Sequence, residues 1–168
     1  QKIRELLKEK KMVLGEMDGV DNDMAEPENV QNTSIRPESP EIYFGAFRNE
    51  ALANGNKFKI GIQDFTAPAD IERNRLYLSG LWDIQKEYSR NISTKSKVVF
   101  KFKAKKVNIV AEADKPAVIK VILDGREVSQ ISIKDSRLYE LIDLPTQGEH
   151  TLELILEDSN IKLYTFTF

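Results

Sequence analysis

The stretch VVFKFKAK, residues 98–105, decides the fold class of this chain. Its apolar residues occupy every second position: Val98, Phe100, Phe102 and Ala104. Val99 and lysines fill the positions between them. A period of two is the period of a β-strand, whose successive side chains point to opposite faces of a sheet. The stretch therefore predicts a strand with one buried face and one face in water.

Strand patterns continue from here to the C-terminus. Residues 117–123 and 126–133 flank Asp124-Gly125, and Asp-Gly between such runs predicts a two-residue hairpin, because a type I′ turn needs positive φ at both central residues. Three further strands are predicted over 138–144, where Pro145 ends the strand, over 152–156 and over 161–168. Because no helical pattern separates these strands, they predict an antiparallel β-sandwich. Both a jelly roll and an immunoglobulin-like sandwich fit the strand count.

The first 40 residues have a different pattern. Ile3, Leu6 and Leu7 lie at helical spacing, which predicts a short amphipathic helix within residues 1–14. Residues 15–40 are acidic, poor in apolar residues and rich in Gly, Asn, Ser and Pro, which is typical of a linker. The acidic positions lack the DxDxDG pattern of a calcium loop, so we predict no ion site there. The β domain is expected to span 41–168.

Composition excludes several kinds of chemistry. The chain has no cysteine, so it cannot form a disulfide or a thiolate metal site. His150 is the lone histidine, and no nucleophile motif accompanies it, so we predict neither catalysis nor a cofactor. The formal net charge of −2 gives no reason to expect nucleic acid as a partner. The apolar runs are of strand length, so no membrane insertion is expected either.

Five segments in order along the chain carry a family resemblance. They are PADIERNRLYLSGLW (68–82), VVFKFKAKKVNIV (98–110), LDG (123–125), RLYEL (137–141) and YTFTF (164–168). Together they resemble the C-terminal domain that follows the thioredoxin fold in DipZ-type thiol–disulfide proteins, over about residues 39–168.

The resemblance implies an all-β fold, a jelly-roll β-sandwich like a carbohydrate-binding module. It implies that residues 1–14 are the last helix of an upstream thioredoxin-like domain, which would also be a partner of the sandwich. It further implies an extracytoplasmic location, in the periplasm or at the cell surface, and redox cysteines that lie upstream of this chain.

Candidate ligand-binding residues cluster between 77 and 91. An aromatic ring offers a flat apolar platform for the C–H groups of a sugar, so Tyr77, Trp82 and Tyr88 are candidates. Arg90 and Asn91 add forked hydrogen-bonding groups that suit a polyol. Alternation along the strand favours a core position for Trp82 and a position on the polar face for Tyr77.

Other residues favour structural roles. Tyr139 and Tyr164 lie in apolar strands, which predicts buried rings with hydroxyls bonded to the backbone. The lysines at 97, 101, 103 and 105 are either a basic patch or, as we favour, protection for an exposed or edge strand. Asn32 and Asn91 begin formal glycosylation sequences.

Two functions remain open at this point. The first is a non-catalytic accessory domain that binds a glycan. The alternative is a structural or protein-interaction domain that packs on the thioredoxin domain or on its protein substrates.

Overall fold

A computed structural model describes residues 36–168 of the chain. This range contains nine strands and no helix, which confirms the all-β prediction. The strands are β1 Ile42–Tyr43, β2 Gly61–Phe65, β3 Leu76–Ile84, β4 Ser89–Asn91, β5 Ser96–Ala113, β6 Ala117–Leu123, β7 Arg126–Ile133, β8 Arg137–Leu156 and β9 Ile161–Thr167. The predicted helix at 1–14 and most of the predicted linker lie outside the described residues. Within residues 36–168, no helix is long and apolar enough to cross a membrane.

Strand β5 organises the sheet. It pairs with β8 along most of its length, and every pairing between named strands is antiparallel. On its other side β5 changes partner: Phe100 in the first half pairs with Leu76 of β3, and Ile109 in the second half pairs with Phe166 of β9. The two halves of β5 therefore belong to two different parts of the sheet.

Aromatic side chains close these two parts into a sandwich. Phe100 comes from the first half of β5 and Phe166 from β9, yet their rings stack with centroids 5.6 Å apart. Phe44 meets Phe166 edge-on at 5.2 Å, and all three rings are buried. Burial of such rings is the main stabilising contribution in a core of this kind. The arrangement fits the jelly-roll sandwich that the family resemblance implies.

The predicted hairpin is confirmed. Leu123 of β6 pairs with Arg126 of β7, so Asp124 and Gly125 are the two turn residues. Their φ angles are 49° and 79°, which are the positive values that a type I′ turn needs.

The prediction that Pro145 ends a strand is wrong. Strand β8 runs on through Pro145, and the register shifts between the pairs Lys106–Asp143 and Ala104–Gly148. Lys105 of β5 therefore faces the whole segment 144–147, which forms a wide bulge. Proline is tolerated at such a bulge because its missing N–H interrupts no ladder hydrogen bond.

The lysines on β5 do not protect an edge strand, so that part of the preferred interpretation is wrong. Strand β5 is an interior strand, not an edge. Lys97 pairs with Glu153 at 2.9 Å, and Lys101 pairs with Glu149 at 3.0 Å. Glutamates on β8 therefore neutralise this face, which leaves no basic patch at these two positions.

The sandwich begins earlier than residue 41. Ser39 is buried, and its Oγ accepts a hydrogen bond from Lys103 N at 2.9 Å. The same hydroxyl donates to Asn74 Oδ1 at 2.7 Å. The last residues of the predicted linker are thus attached to β5 and to the loop before β3.

Candidate functional site

Tyr77 is not the surface aromatic that its polar-face position predicts. Its side chain is only 5% exposed, so that prediction is wrong. The loop before β3 covers this side of the strand, and Glu72 N donates a hydrogen bond to Tyr77 Oη at 3.3 Å. Tyr77 is therefore a core residue with a satisfied hydroxyl.

Trp82 lies in the core, as the alternation along β3 predicts. The indole is fully buried, and its Nε1 donates to Ser79 O at 3.0 Å. A residue in this position cannot stack on a ligand in the folded protein. Trp82 therefore leaves the candidate set.

Asn91 is a scaffold residue beneath the turn between β8 and β9. It is fully buried, and its Nδ2 donates to Asp158 O at 2.7 Å and to Ser93 O at 2.9 Å. Its Oδ1 accepts from Ile161 N at 2.8 Å. A side chain held in this way is accessible neither to a ligand nor, in the folded protein, to a glycosyltransferase.

Tyr88 and Tyr164 form the aromatic feature on the outer face of the sandwich. Tyr88 lies directly before β4, and β4 pairs with β9 through Ser89 and Leu163. This pairing brings the two partly exposed rings together, with centroids 5.4 Å apart and planes inclined at 54°. We call this pair the tyrosine platform.

Sequence reasoning missed Tyr164. The prediction of a buried ring with a backbone partner is confirmed for Tyr139, whose hydroxyl donates to Asp135 O at 2.8 Å. It is wrong for Tyr164, which is partly exposed and donates to a side chain. The alternation in β9 could have found it, because Ile161 and Leu163 are fully buried and the residue after Leu163 must face outward.

A carboxylate and an ammonium flank the platform on one side. Tyr164 Oη donates to Glu112 Oε2 at 3.0 Å, and Lys162 Nζ lies 2.8 Å from Glu112 Oε1. The hydrogen bond from Lys162, joined by that from Tyr164, lowers the pKa of Glu112. Burial and the hydrogen bond to Glu112 raise the pKa of Tyr164. At neutral pH the group therefore presents an ionised carboxylate beside a neutral phenol.

A second ion pair lies next to the first, because Arg90 of β4 pairs in register with Lys162 of β9. Arg90 of β4 pairs in register with Asp83 of β3, and Arg90 Nη2 lies 2.8 Å from Asp83 Oδ2. Gln85 Nε2 donates to the other oxygen of Asp83 at 2.8 Å. Arg90 Nε is buried and has no hydrogen-bond partner among the described residues. Because a guanidinium has five N–H donors, Arg90 keeps donors beyond the one that Asp83 receives.

A cleft at one end of the sandwich adjoins this face. Its volume is about 410 Å³. Lys162 links the two features, because its Nζ is also 3.6 Å from Asp114 at the cleft. No group of three or more His, Cys, Asp or Glu side chains within residues 36–168 is arranged to hold a metal ion. The polar residues that line the cleft are Thr94, Asp114, Lys115, Asp158, Ser159 and Asn160.

His150 has a structural partner. Its Nδ1 lies 2.7 Å from Asp124 Oδ2, and Thr151 N donates to Asp124 Oδ1 at 2.8 Å. Burial raises the pKa of Asp124, but the hydrogen bonds from His150 and Thr151 outweigh burial and lower it overall. These contacts fasten the β6–β7 turn to β8.

Among solved structures, the fold is similar to a family two carbohydrate esterase from Clostridium thermocellum in complex with cellohexaose, at 16% identity and a TM-score of 0.48, covering 52% of this chain and 29% of that one. An active-site mutant of a family two carbohydrate esterase from the same organism gives 15% identity and a TM-score of 0.49, covering 66% and 31%. The carbohydrate-binding module CBM36, in complex with calcium and xylotriose, gives 9% identity and a TM-score of 0.42, covering 77% and 98%. The chain thus spans about a third of the length of the two esterases. At these scores the similarities carry no argument about function.

Comparison of the sequence with known sequences and family models assigns the chain to a family. No curated protein sequence matches the chain. The family model described as Thioredoxin like C-terminal domain matches residues 39–168, which begins at the buried Ser39 and covers the whole sandwich. The chain belongs to the thioredoxin-like C-terminal domain family.

Proposed function

We propose that this domain is a non-catalytic module that binds a glycan on the tyrosine platform. The observation that carries the proposal is the partly exposed pair of rings of Tyr88 and Tyr164, 5.4 Å apart, on the outer face of the sheet. Aromatic rings at the surface give a sugar an apolar surface at little cost in conformational entropy, because two χ angles fix each ring.

The polar groups around the rings suit sugar hydroxyls. A hydroxyl both donates and accepts hydrogen bonds, and the platform offers both kinds of partner. Glu112 and Asp83 are acceptors, whereas Lys162 and Arg90 are donors. The ion pairs at 2.8 Å hold these side chains in place before a ligand arrives, which reduces the entropy lost on binding.

The wider setting is part of the same proposal. We place the domain in an extracytoplasmic protein of the DipZ type, after a thioredoxin-like domain that carries the thiol–disulfide chemistry. Membership of the thioredoxin-like C-terminal domain family supports this setting. This chain has no cysteine, so it cannot carry out thiol chemistry itself. That supports a binding role for the sandwich and a thiol–disulfide role for the thioredoxin-like domain.

A glycan array probed with the full 168-residue chain tests the proposal, followed by calorimetric titration of any hit. Calorimetry is preferable to tryptophan fluorescence, because the single tryptophan is buried and reports folding. We expect saturable binding that Tyr88→Ala weakens by about tenfold, the effect of losing roughly 1.4 kcal/mol of contact with one ring.

Phe58→Ala is the matched control, because Phe58 is an exposed aromatic residue outside the platform. It should leave glycan affinity unchanged. Absence of saturable binding across a broad array would refute the proposal, and so would binding that Tyr88→Ala leaves intact.

A further inference from the structure

Exposed apolar side chains cluster beside the edge strand β2. Phe58, Ile60 and Ile62 are 57%, 46% and 66% exposed, respectively. They are half of the six large hydrophobic residues that are exposed within residues 36–168. Single exposed hydrophobic residues are ordinary, but a cluster of them marks an interaction surface. We call residues 57–62, together with the rest of β2, the basic edge.

The backbone of β2 is available for pairing. Among the described strands, β2 pairs only with β3, through the register from Gly61–Ile84 to Phe65–Gly80. An edge strand presents a row of unpaired N–H and C=O groups, which is a template for another strand. Side chains along β2 alternate between exposed Ile62 and Asp64 and more buried neighbours, so the strand is regular enough to accept a partner.

Two of the three charged residues of the basic edge are positive, Lys57 and Lys59, and the third is the exposed Asp64 of β2. Lys57 and Lys59 alternate with Phe58 and Ile60 in sequence, and neither lysine forms an ion pair within the described part of the chain. The lysines at 97 and 101 of β5, by contrast, have glutamate partners. Free positive charge beside exposed apolar groups fits a partner that is acidic and apolar.

A further apolar and basic pair lies at the same end of β2. Phe47 is 60% exposed, and its N–H donates to Lys86 O at 3.0 Å, in the turn that follows β3. Lys86 Nζ lies 5.8 Å from the centre of the Phe47 ring. Phe58 N donates to Asn49 Oδ1 at 2.9 Å, which ties the segment before β2 to the turn that carries Phe47.

We propose that the basic edge binds an extended, acidic segment of a partner protein by strand addition. The partner backbone pairs with β2, its alternate apolar side chains meet Ile60 and Ile62, and its acidic side chains meet Lys57 and Lys59. This is the β-augmentation mode of peptide recognition. The edge lies beside the Asp83–Arg90 pair but shares no residue with the tyrosine platform, so the proposal is independent of glycan binding.

Fluorescence anisotropy with a labelled peptide of alternating glutamate and valine tests the proposal. A peptide with lysine in place of glutamate tests the charge requirement, and a backbone N-methylated acidic peptide tests strand pairing. We expect saturable binding of the first peptide only, weakened by salt as exposed charge pairs are. Equal binding of the lysine peptide, retained binding of the N-methylated peptide or no binding at all would overturn the proposal.

Ile62→Lys should reduce the affinity for the acidic peptide by about tenfold or more, because it places a charge in the apolar contact. Val128→Lys is the matched control, since Val128 is 51% exposed on another edge strand, β7, and should bind like the wild type. Circular dichroism confirms that both variants fold. Analytical ultracentrifugation measures the oligomeric state of the wild type and of Ile62→Lys. If the wild type is a dimer and Ile62→Lys is a monomer, a second copy of the chain pairs with β2 and the peptide proposal is overturned.

Discussion

Asn91 is the residue whose side chain holds β4 to the far end of the sandwich. It ties β4 to the turn between β8 and β9 through two side-chain hydrogen bonds, to Asp158 O and from Ile161 N, and its third hydrogen bond goes to Ser93 O just after β4. Asn91 and Ile161 are both fully buried. Asn91→Ala removes all three hydrogen bonds and leaves the buried Ile161 N without its side-chain partner.

The expected loss follows from these contacts. A hydrogen bond contributes about 1 kcal/mol net to stability, and a buried N–H left without a partner costs about 1–3 kcal/mol. We therefore expect Asn91→Ala to lower the free energy of unfolding by about 3–5 kcal/mol. That is a large share of the roughly 5–15 kcal/mol that stabilise an ordinary domain.

Urea denaturation followed by circular dichroism measures the effect. The midpoint should fall while the slope with urea stays unchanged, because the surface exposed on unfolding is the same. Asn108→Ala is the matched control: Asn108 lies on β5, is partly exposed, and its side chain makes no hydrogen bond within residues 36–168. A loss for Asn91→Ala no larger than that for Asn108→Ala would refute the role assigned to Asn91.

Three further predictions concern the core, the platform and a close backbone contact. Trp82→Ala should lower the free energy of unfolding by roughly 3–5 kcal/mol, measured by circular dichroism in urea; a loss near zero would contradict the buried position of the indole. Glu112→Gln should be less stable than the wild type above pH 4.5, and the difference should narrow as pH falls from there through the lowered pKa of Glu112, as thermal melts at several pH values would measure. A difference that does not vary with pH would contradict the pairing with Lys162. Gly45→Ala places a Cβ in steric overlap with the backbone of Glu87, so the variant should melt at a clearly lower temperature. An unchanged melting temperature would argue against this close approach.

Sequence patterns predicted those features of the fold that depend on neighbouring residues alone, namely strand periodicity and turn conformation. The alternation in 98–105 gave the correct buried face because the side-chain period of a strand is fixed. Asp124-Gly125 gave the correct turn because few sequences tolerate two positive φ values. The bulge opposite Lys105 could not be predicted in this way, because it arises from a register shift between β5 and β8. In the sequence alone, Pro145 predicts the end of a strand.

The candidate site was only half predictable for a similar reason. Tyr88 and Arg90 stand close together in the sequence, so their shared location could be anticipated. Tyr77 was misplaced because alternation says which face a side chain takes but not whether a loop covers that face. Tyr164 joins Tyr88 only through the pairing of β4 with β9, a contact between distant parts of the chain that no local pattern encodes.

NMR titration of the isotope-labelled chain with an oligosaccharide hit shows whether a glycan binds on the tyrosine platform, because the backbone amide shifts report the site of binding. We expect the largest saturable shifts on Tyr88, Arg90, Lys162 and Tyr164, and we expect Tyr88→Ala to raise the oligosaccharide concentration at their midpoint by about tenfold. Shifts confined to β2 or β7, or no saturable shifts with any array hit, would contradict the proposed binding.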